Sequence, residues 1–132
     1  MHLILRVLLV TSLASLSTSA FSAWIKFAEN DRLIAYYEPV TSNNAEGLLV
    51  WVMYDYKSEQ HSERSGRRYA SQKGQQEVDC IGEKSRTVFF TWHAGRMGDG
   101  PVVYTGSNPL PWEPNSPNSL ARALSLAVCS RM

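Results

Sequence analysis

The sequence has few of the residues that mark an enzyme, a metalloprotein or a polytopic membrane protein. It contains 2 cysteines and 3 histidines among 132 residues, and it has no Gly-x-Ser-x-Gly elbow for a nucleophile. Glycine and proline, at 8 and 6 residues, are too few for a collagen-like or low-complexity chain. No apolar run reaches the roughly 20 residues of a membrane-spanning helix. With 44% apolar residues, the chain can form one small globular domain with a hydrophobic core.

Residues 1–23 have the three parts of a secretory signal peptide. Arg6 supplies the positive end, residues 7–16 are the apolar segment, and small residues follow. Because the apolar segment is short for a membrane span, we expect cleavage rather than an uncleaved anchor. The mature domain is then residues 24–132, exported through the inner membrane and without a membrane span. The cleavage points that fit the pattern are after Ala20, Ser22 or Ala23.

The mature domain is electrically neutral. The whole chain has 13 Lys and Arg against 12 Asp and Glu, and cleavage of the leader removes Arg6, which leaves equal numbers of each sign. A neutral domain has no overall field that draws it onto nucleic acid or an anionic membrane. We therefore expect no nucleic-acid partner, and any charged ligand has to be bound by a local group of side chains.

The two cysteines, Cys80 and Cys129, are expected to form a structural disulfide. In an oxidising compartment an isolated pair most often does so. The alternative is a metal site, but the mature histidines, His61 and His93, do not stand at ligand spacing. We therefore expect no metal and no cofactor. No cysteine follows the leader, so we also expect no N-terminal lipid anchor.

Short segments rich in β-branched and aromatic residues indicate about six strands. The connections are too short for helical crossovers, which favours an antiparallel sheet. Leu48–Tyr56 is apolar on both faces and is predicted to be a central strand covered on both sides, while Lys57–Arg67 is predicted to be a polar loop. Alternation assigns Thr87 and Phe89 to the same face. The predicted strands are residues 24–27, 33–38, 48–56, 68–80, 87–93 and 102–105.

The C-terminal segment is predicted to be a helix. Ser116 and Ser119 offer capping hydroxyls, Pro117 suits an early helical position, and an apolar stripe follows over 120–128. The fold class is therefore α+β: an antiparallel sheet of about six strands with one C-terminal helix packed on it and tied by the disulfide. The sheet face away from this helix requires its own loops, a ligand or a second subunit in a homodimer.

The segment Lys57–Arg68 is the most polar part of the sequence and contains three arginines, Arg64, Arg67 and Arg68. Guanidinium groups bind sulfate and carboxylate in a bidentate way, so these arginines are candidates for binding a sulfated glycan or an acidic protein patch. The alternative is a solvated hairpin whose arginines pair locally with Glu59 and Glu63.

No catalytic site is predicted. Glu77 and Asp79 lie two residues apart on a strand and point to one face, so they cannot flank a substrate bond from two sides. His93 has no evident nucleophile to serve as a base. Residues 95–100 lack the Gly-Lys-Ser/Thr ending of a phosphate loop and are predicted to be a turn.

Several aromatic residues could form a stacking surface for sugars or bases, although alternation places most of them in the core. Any that are exposed on the face away from the helix would favour the first possibility. The residues are Tyr36, Tyr37, Trp51, Tyr54, Tyr56, Trp92 and Trp112.

From Trp24 onward the sequence resembles the surface-adhesin protein E family of proteobacterial exported proteins. The similarity covers essentially the whole mature chain in order. It rests on Trp24, Tyr36-Tyr37-Glu38, Val50-Trp51-Val52, Asp55-Tyr56, Ser71-Gln72-Lys73, Glu77-Val78-Asp79-Cys80, Gly98-Asp99-Gly100, Val102-Val103-Tyr104, Trp112-Glu113-Pro114 and Val128-Cys129.

This resemblance implies an antiparallel sheet with a C-terminal helix tied to it by a disulfide. It also implies a non-enzymatic binding protein, since the family's namesake is a bacterial surface lipoprotein that binds host extracellular-matrix and serum proteins. Without a lipid-acceptor cysteine, this chain is expected in the periplasm, at the cell surface or secreted. A periplasmic module that binds envelope proteins is the alternative function, and a small hydrolase is a remote one.

Overall fold

A computed structural model describes residues 23–39, 42–44 and 47–129. The predicted signal peptide, apart from Ala23, lies outside the described residues. This part of the chain forms eight strands, a 3₁₀ turn and one α-helix. In chain order the strands are β1 Ile25–Glu29, β2 Leu33–Tyr37, β3 Ser42–Asn44, β4 Gly47–His61, β5 Arg68–Asp79, β6 Lys84–His93, β7 Val102–Gly106 and β8 Glu113–Pro114. The 3₁₀ turn is Arg96–Gly98, and helix α1 is Leu120–Cys129.

The strands form a single antiparallel sheet. Its main path follows the order β1-β2-β4-β5-β6-β7, while β3 pairs with β4 and β8 pairs with β6. The six strands of this path correspond to the six predicted from the sequence, and the antiparallel arrangement is confirmed.

The predicted loop Lys57–Arg67 is wrong over its first half. Strand β4 continues to His61, which pairs with Arg68, so that only residues 62–67 connect the two strands. Backbone hydrogen bonds between two long strands need no apolar side chains. The polar end of this hairpin is therefore solvated but still extended.

Helix α1 covers one face of the sheet. The Ser119 hydroxyl accepts a hydrogen bond from the backbone N–H of Arg122 at 3.1 Å and caps the helix, as the sequence predicts. The disulfide joins Cys129, the last helical residue, to Cys80 next to β5, with 5.8 Å between their Cα atoms. The predicted α+β fold and its disulfide are confirmed. The core between helix and sheet consists of Tyr37, Leu48, Val50, Val52, Val78, Leu124 and Val128.

Candidate functional site

The other face of the sheet carries no helix. Val50 and Val52 point into the helix core, so the intervening Trp51 and its alternating neighbours Met53 and Asp55 point to this helix-free face. Strand pairing aligns residues of different strands into rows across it. One row is Glu38, Trp51, Gln75 and Phe89, and the next is Tyr36, Met53, Lys73 and Thr91.

The 3₁₀ turn covers one end of the helix-free face. Asp55, only 3% exposed, accepts hydrogen bonds from Nε of Arg96 at 3.1 Å and from the backbone N–H of Met97 at 2.9 Å. Hydrogen bonding to this carboxylate raises the pKa of Arg96. The buried Ser71 hydroxyl donates to the Gly95 carbonyl at 2.6 Å and accepts from the Gly98 N–H at 2.8 Å. The glycine-rich segment is thus a turn, as predicted, and it is held by two buried side chains.

Lys73 lies alongside this turn. Gly98 has φ of 73°, and a Cβ atom there would lie 2.8 Å from Cδ and Cε of Lys73. The positive φ favours glycine here, and the stem of Lys73 lies beside the turn.

The opposite end of the face contains the two candidate carboxylates, in different roles. Glu77 is buried and forms an ion pair with Arg86, at 3.1 Å between Oε1 and Nη2. Asp79 accepts hydrogen bonds from the backbone N–H groups of Ile81 and Gly82 at 3.1 and 2.8 Å, and so it shapes the β5–β6 turn. Neither carboxylate lines either of the two clefts described below.

Trp112 closes this end of the face. The guanidinium of Arg86 lies 4.8 Å and the ammonium of Lys84 lies 5.2 Å from its ring centre, both within cation–π range. The rows of Trp51 and Lys73 are therefore left open between the turn at one end and Trp112 at the other.

An open groove of about 410 Å³ occupies this middle region. Trp51 is 37% exposed and packs edge-on against Phe89, with 6.4 Å between ring centres and 84° between ring planes. Such an arrangement leaves indole surface available to a ligand. We call this feature the Trp51 groove; its lining residues are Trp24, Glu38, Trp51, Lys73, Phe89, Thr91, His93 and Val102.

The Trp51 groove contains one charge of each sign. Within the part of the chain that the structure describes, neither Glu38 nor Lys73 has an ion-pair partner. Other exposed charges already pair within the protein, as Lys26 does with Glu29 at 2.9 Å. Glu38 and Lys73 are therefore available to charged groups of a ligand.

Thr91 and His93 form a hydroxyl–imidazole pair in the floor of the groove, which sequence reasoning does not predict. Thr91 Oγ1 lies 2.8 Å from Nε2 of His93, whose Nδ1 lies 3.4 Å from the Gly100 carbonyl oxygen. The Thr91 hydroxyl also lies 3.5 Å from the Lys73 carbonyl oxygen, and the tautomer of His93 decides which of the two acceptors receives its proton. The imidazole, 7% exposed, thus links β6 to the loop before β7.

Most of the other aromatic residues pack against one another on the helix-bearing side. Tyr69 stacks on Trp92 at 4.3 Å, and Tyr104 lies 4.8 Å from the same indole. Tyr104 remains 40% exposed because it lies on edge strand β7. Tyr54, although partly exposed as a whole, has its pKa raised to about 12 by burial. Among the candidates for stacking, Trp51 is the one that is exposed on the helix-free face.

A second cleft, of about 280 Å³, lies on the helix-bearing side near the start of α1. Gln76 and Thr87, two of its lining residues, are already hydrogen-bonded to each other at 2.7 Å. Another lining residue, Ser85, is hydrogen-bonded to Asn115. Its polar side chains thus largely serve to attach segment 110–116 to the sheet.

The three candidate arginines lie far along the β4–β5 hairpin and are all exposed. Arg68 forms a surface ion pair with Glu59 at 3.0 Å. Within the described residues, Arg64 and Arg67 form no ion pair. These hairpin arginines (Arg64, Arg67 and Arg68) do not line the Trp51 groove, and their binding role stays a prediction.

Sequence reasoning missed several groove residues because they belong together only through strand register. Trp24, Glu38, Lys73 and Phe89 come from four different segments and have no common motif. The available signal was the two-sided apolar pattern of β4, which indicated that the second face needs a cover or a partner.

Comparison with known proteins identifies the family. No curated protein matches the chain. No helix within the described ranges is long and apolar enough to cross a membrane. The family model described as surface-adhesin protein E matches residues 24–130, which is most of the chain. The protein therefore belongs to the surface-adhesin protein E family.

Proposed function

We propose that this protein is an exported, non-enzymatic binding protein that attaches to a host extracellular-matrix or serum protein through the Trp51 groove. Membership of a surface-adhesin family indicates an exported or surface location and a binding role. The groove is the feature of this chain best suited to that role.

The observation that carries the proposal is the exposure of Trp51 on a central strand. A tryptophan at the centre of a sheet is normally covered, yet Trp51 is 37% exposed on the face that α1 does not cover. Tryptophan is among the residues that dominate binding energy at protein interfaces. An open groove flanked by aromatic and charged side chains fits a macromolecular surface better than a small enclosed ligand.

The geometry of the candidate catalytic groups supports a binding role over a hydrolase. Glu77 is occupied by Arg86, and Asp79 is occupied by backbone N–H groups of its own turn. Nδ1 of His93 faces a carbonyl rather than a carboxylate that would stabilise an imidazolium. Within the described residues, the Thr91–His93 pair therefore lacks the carboxylate that would orient the histidine as the base for a threonine nucleophile.

The location is tested by protease treatment of intact native cells, followed by blotting of cells, medium and periplasmic extract. Loss of the protein from intact cells, or its presence in the medium, supports the adhesive function. Full protection until the outer membrane is opened contradicts it and favours the alternative, a periplasmic module that binds envelope proteins.

The binding activity is tested with the purified mature chain on an immobilised panel of extracellular-matrix and serum proteins. The proposal expects saturable binding to at least one of them, competed by soluble mature chain. An absence of saturable binding across the panel would overturn the proposed partner class.

A further inference from the structure

The Trp51 groove runs across the strands rather than along them. Its lining residues lie on or directly beside each strand of the six-stranded main path, from Trp24 before β1 to Val102 on β7. With strands about 4.8 Å apart, this path spans roughly 24 Å. The groove therefore has the length of an extended peptide and not of a single side chain.

An extended peptide of about seven residues covers this distance at roughly 3.3 Å per residue. In such a peptide alternate side chains point the same way, so the first, third, fifth and seventh positions would face the sheet. Trp51 and Phe89 pack on each other and offer one apolar surface on this path. The ligand thus needs an apolar residue at a sheet-facing position beside them.

Glu38 and Lys73 determine which charges the ligand peptide must carry. Glu38 shares a row with Trp51, and Lys73 lies in the next row, two strands further along the main path. This separation corresponds to roughly 12 Å between backbone positions, from the strand spacing and the rise per residue. Side chains four positions apart in an extended peptide are separated by roughly 13 Å, which is a close match.

We propose, on the basis of the proposed function, that the Trp51 groove recognises an extended segment of the protein partner with a basic residue opposite Glu38 and an acidic residue four positions away opposite Lys73. An apolar residue between them contacts the adjoining rings of Trp51 and Phe89.

The test uses two fluorescein-labelled peptides and the mature chain in anisotropy titrations at low salt. The matching peptide is Lys-Thr-Leu-Thr-Glu-Thr-Thr, and the control peptide has its Lys and Glu exchanged. The proposal expects the matching peptide to bind about five- to tenfold more tightly, as two partly exposed ion pairs allow. High salt should reduce this difference.

Charge exchange in the protein makes the test specific. The double variant Glu38→Lys with Lys73→Glu should prefer the control peptide by a similar factor. Asp31→Lys with Arg32→Glu makes the same exchange at exposed positions outside the groove and should keep the wild-type preference. Thermal melting of each variant shows that it is folded.

The outcomes separate this proposal from the proposed function. A preference that reverses only in the groove variant supports the peptide proposal. Equal affinity for both peptides, or failure of both to bind, overturns it. If the chain still binds a member of the matrix and serum panel in that case, the proposed function stands without the peptide pattern; if it binds none, both fail.

Discussion

Removal of the disulfide is expected to destabilise the domain strongly. The link joins Cys80 to Cys129 across a sequence separation of 49 residues. In the chain-entropy model a loop of this length contributes about 4 kcal/mol by restricting the unfolded chain. For a domain of this size, that corresponds to a melting temperature lower by roughly 15 °C.

The matched comparison is between the double variant Cys80→Ala with Cys129→Ala and the oxidised and reduced wild type. Circular dichroism during heating measures all three. Helix α1 still contributes Leu124 and Val128 to the core, so we expect the double variant to fold. Its helix should exchange amide hydrogens faster than the helix of the oxidised wild type. Equal melting of oxidised wild type, reduced wild type and double variant would refute the stabilising role of the link.

Three further perturbations test individual parts of the structure. Tyr54 in the unfolded chain ionises near the usual value of 10.0 but has a folded pKa of about 12, so unfolding releases a proton and stability falls as the pH rises from 10 towards 12. Tyr54→Phe should reduce this alkaline loss in urea unfolding, and an unchanged pH slope would contradict the burial of the hydroxyl. Asp55→Ala removes the buried acceptor of the 3₁₀ turn and should lower the free energy of unfolding by about 2 kcal/mol, whereas a change below about 0.5 kcal/mol would argue against an anchoring role. Replacing the three hairpin arginines by alanine should leave melting unchanged but lower the salt at which the protein elutes from immobilised heparin; unchanged elution would remove them as a sulfated-glycan site.

The overall architecture could be predicted because its signals are local. The two-sided apolar pattern of Leu48–Tyr56 indicates a central strand, and the stripe that includes Leu124 and Val128 indicates a helix packed on one face. The isolated cysteine pair, in a chain predicted to be exported, then places the helix end beside the sheet. Each of these inferences needs only one segment of sequence and a general rule.

Which side chains lie on each face of the sheet could not be predicted in full, because a β-bulge interrupts the alternation of side chains along a strand. Thr87 and Phe89 were expected on the same face, which is wrong. A register shift between Gln75 and Gln76 pairs Gln76 with Thr87, and Thr87 thereby turns to the helix-bearing side. Bulges depend on how two strands fit each other and leave no clear trace in either strand alone.

The Trp51 groove could not be predicted for a related reason. Its neighbours in space, such as Glu38, Lys73 and Phe89, are far apart in sequence, and only the register brings them together. The sequence did indicate that the face opposite the helix requires loops, a ligand or a second subunit. The 3₁₀ turn covers one end of it, and the homodimer remains a prediction.

The most direct test of the account is the affinity of two single variants for the matrix or serum protein that the wild type binds. Trp51→Ala removes an aromatic residue that is 37% exposed on the helix-free face, and Tyr104→Ala removes one that is 40% exposed on the other side. Surface plasmon resonance should show a loss of at least about tenfold for Trp51→Ala and little change for Tyr104→Ala. Equal affinities of the two variants, or a greater loss for Tyr104→Ala, would contradict the assignment of binding to the Trp51 groove.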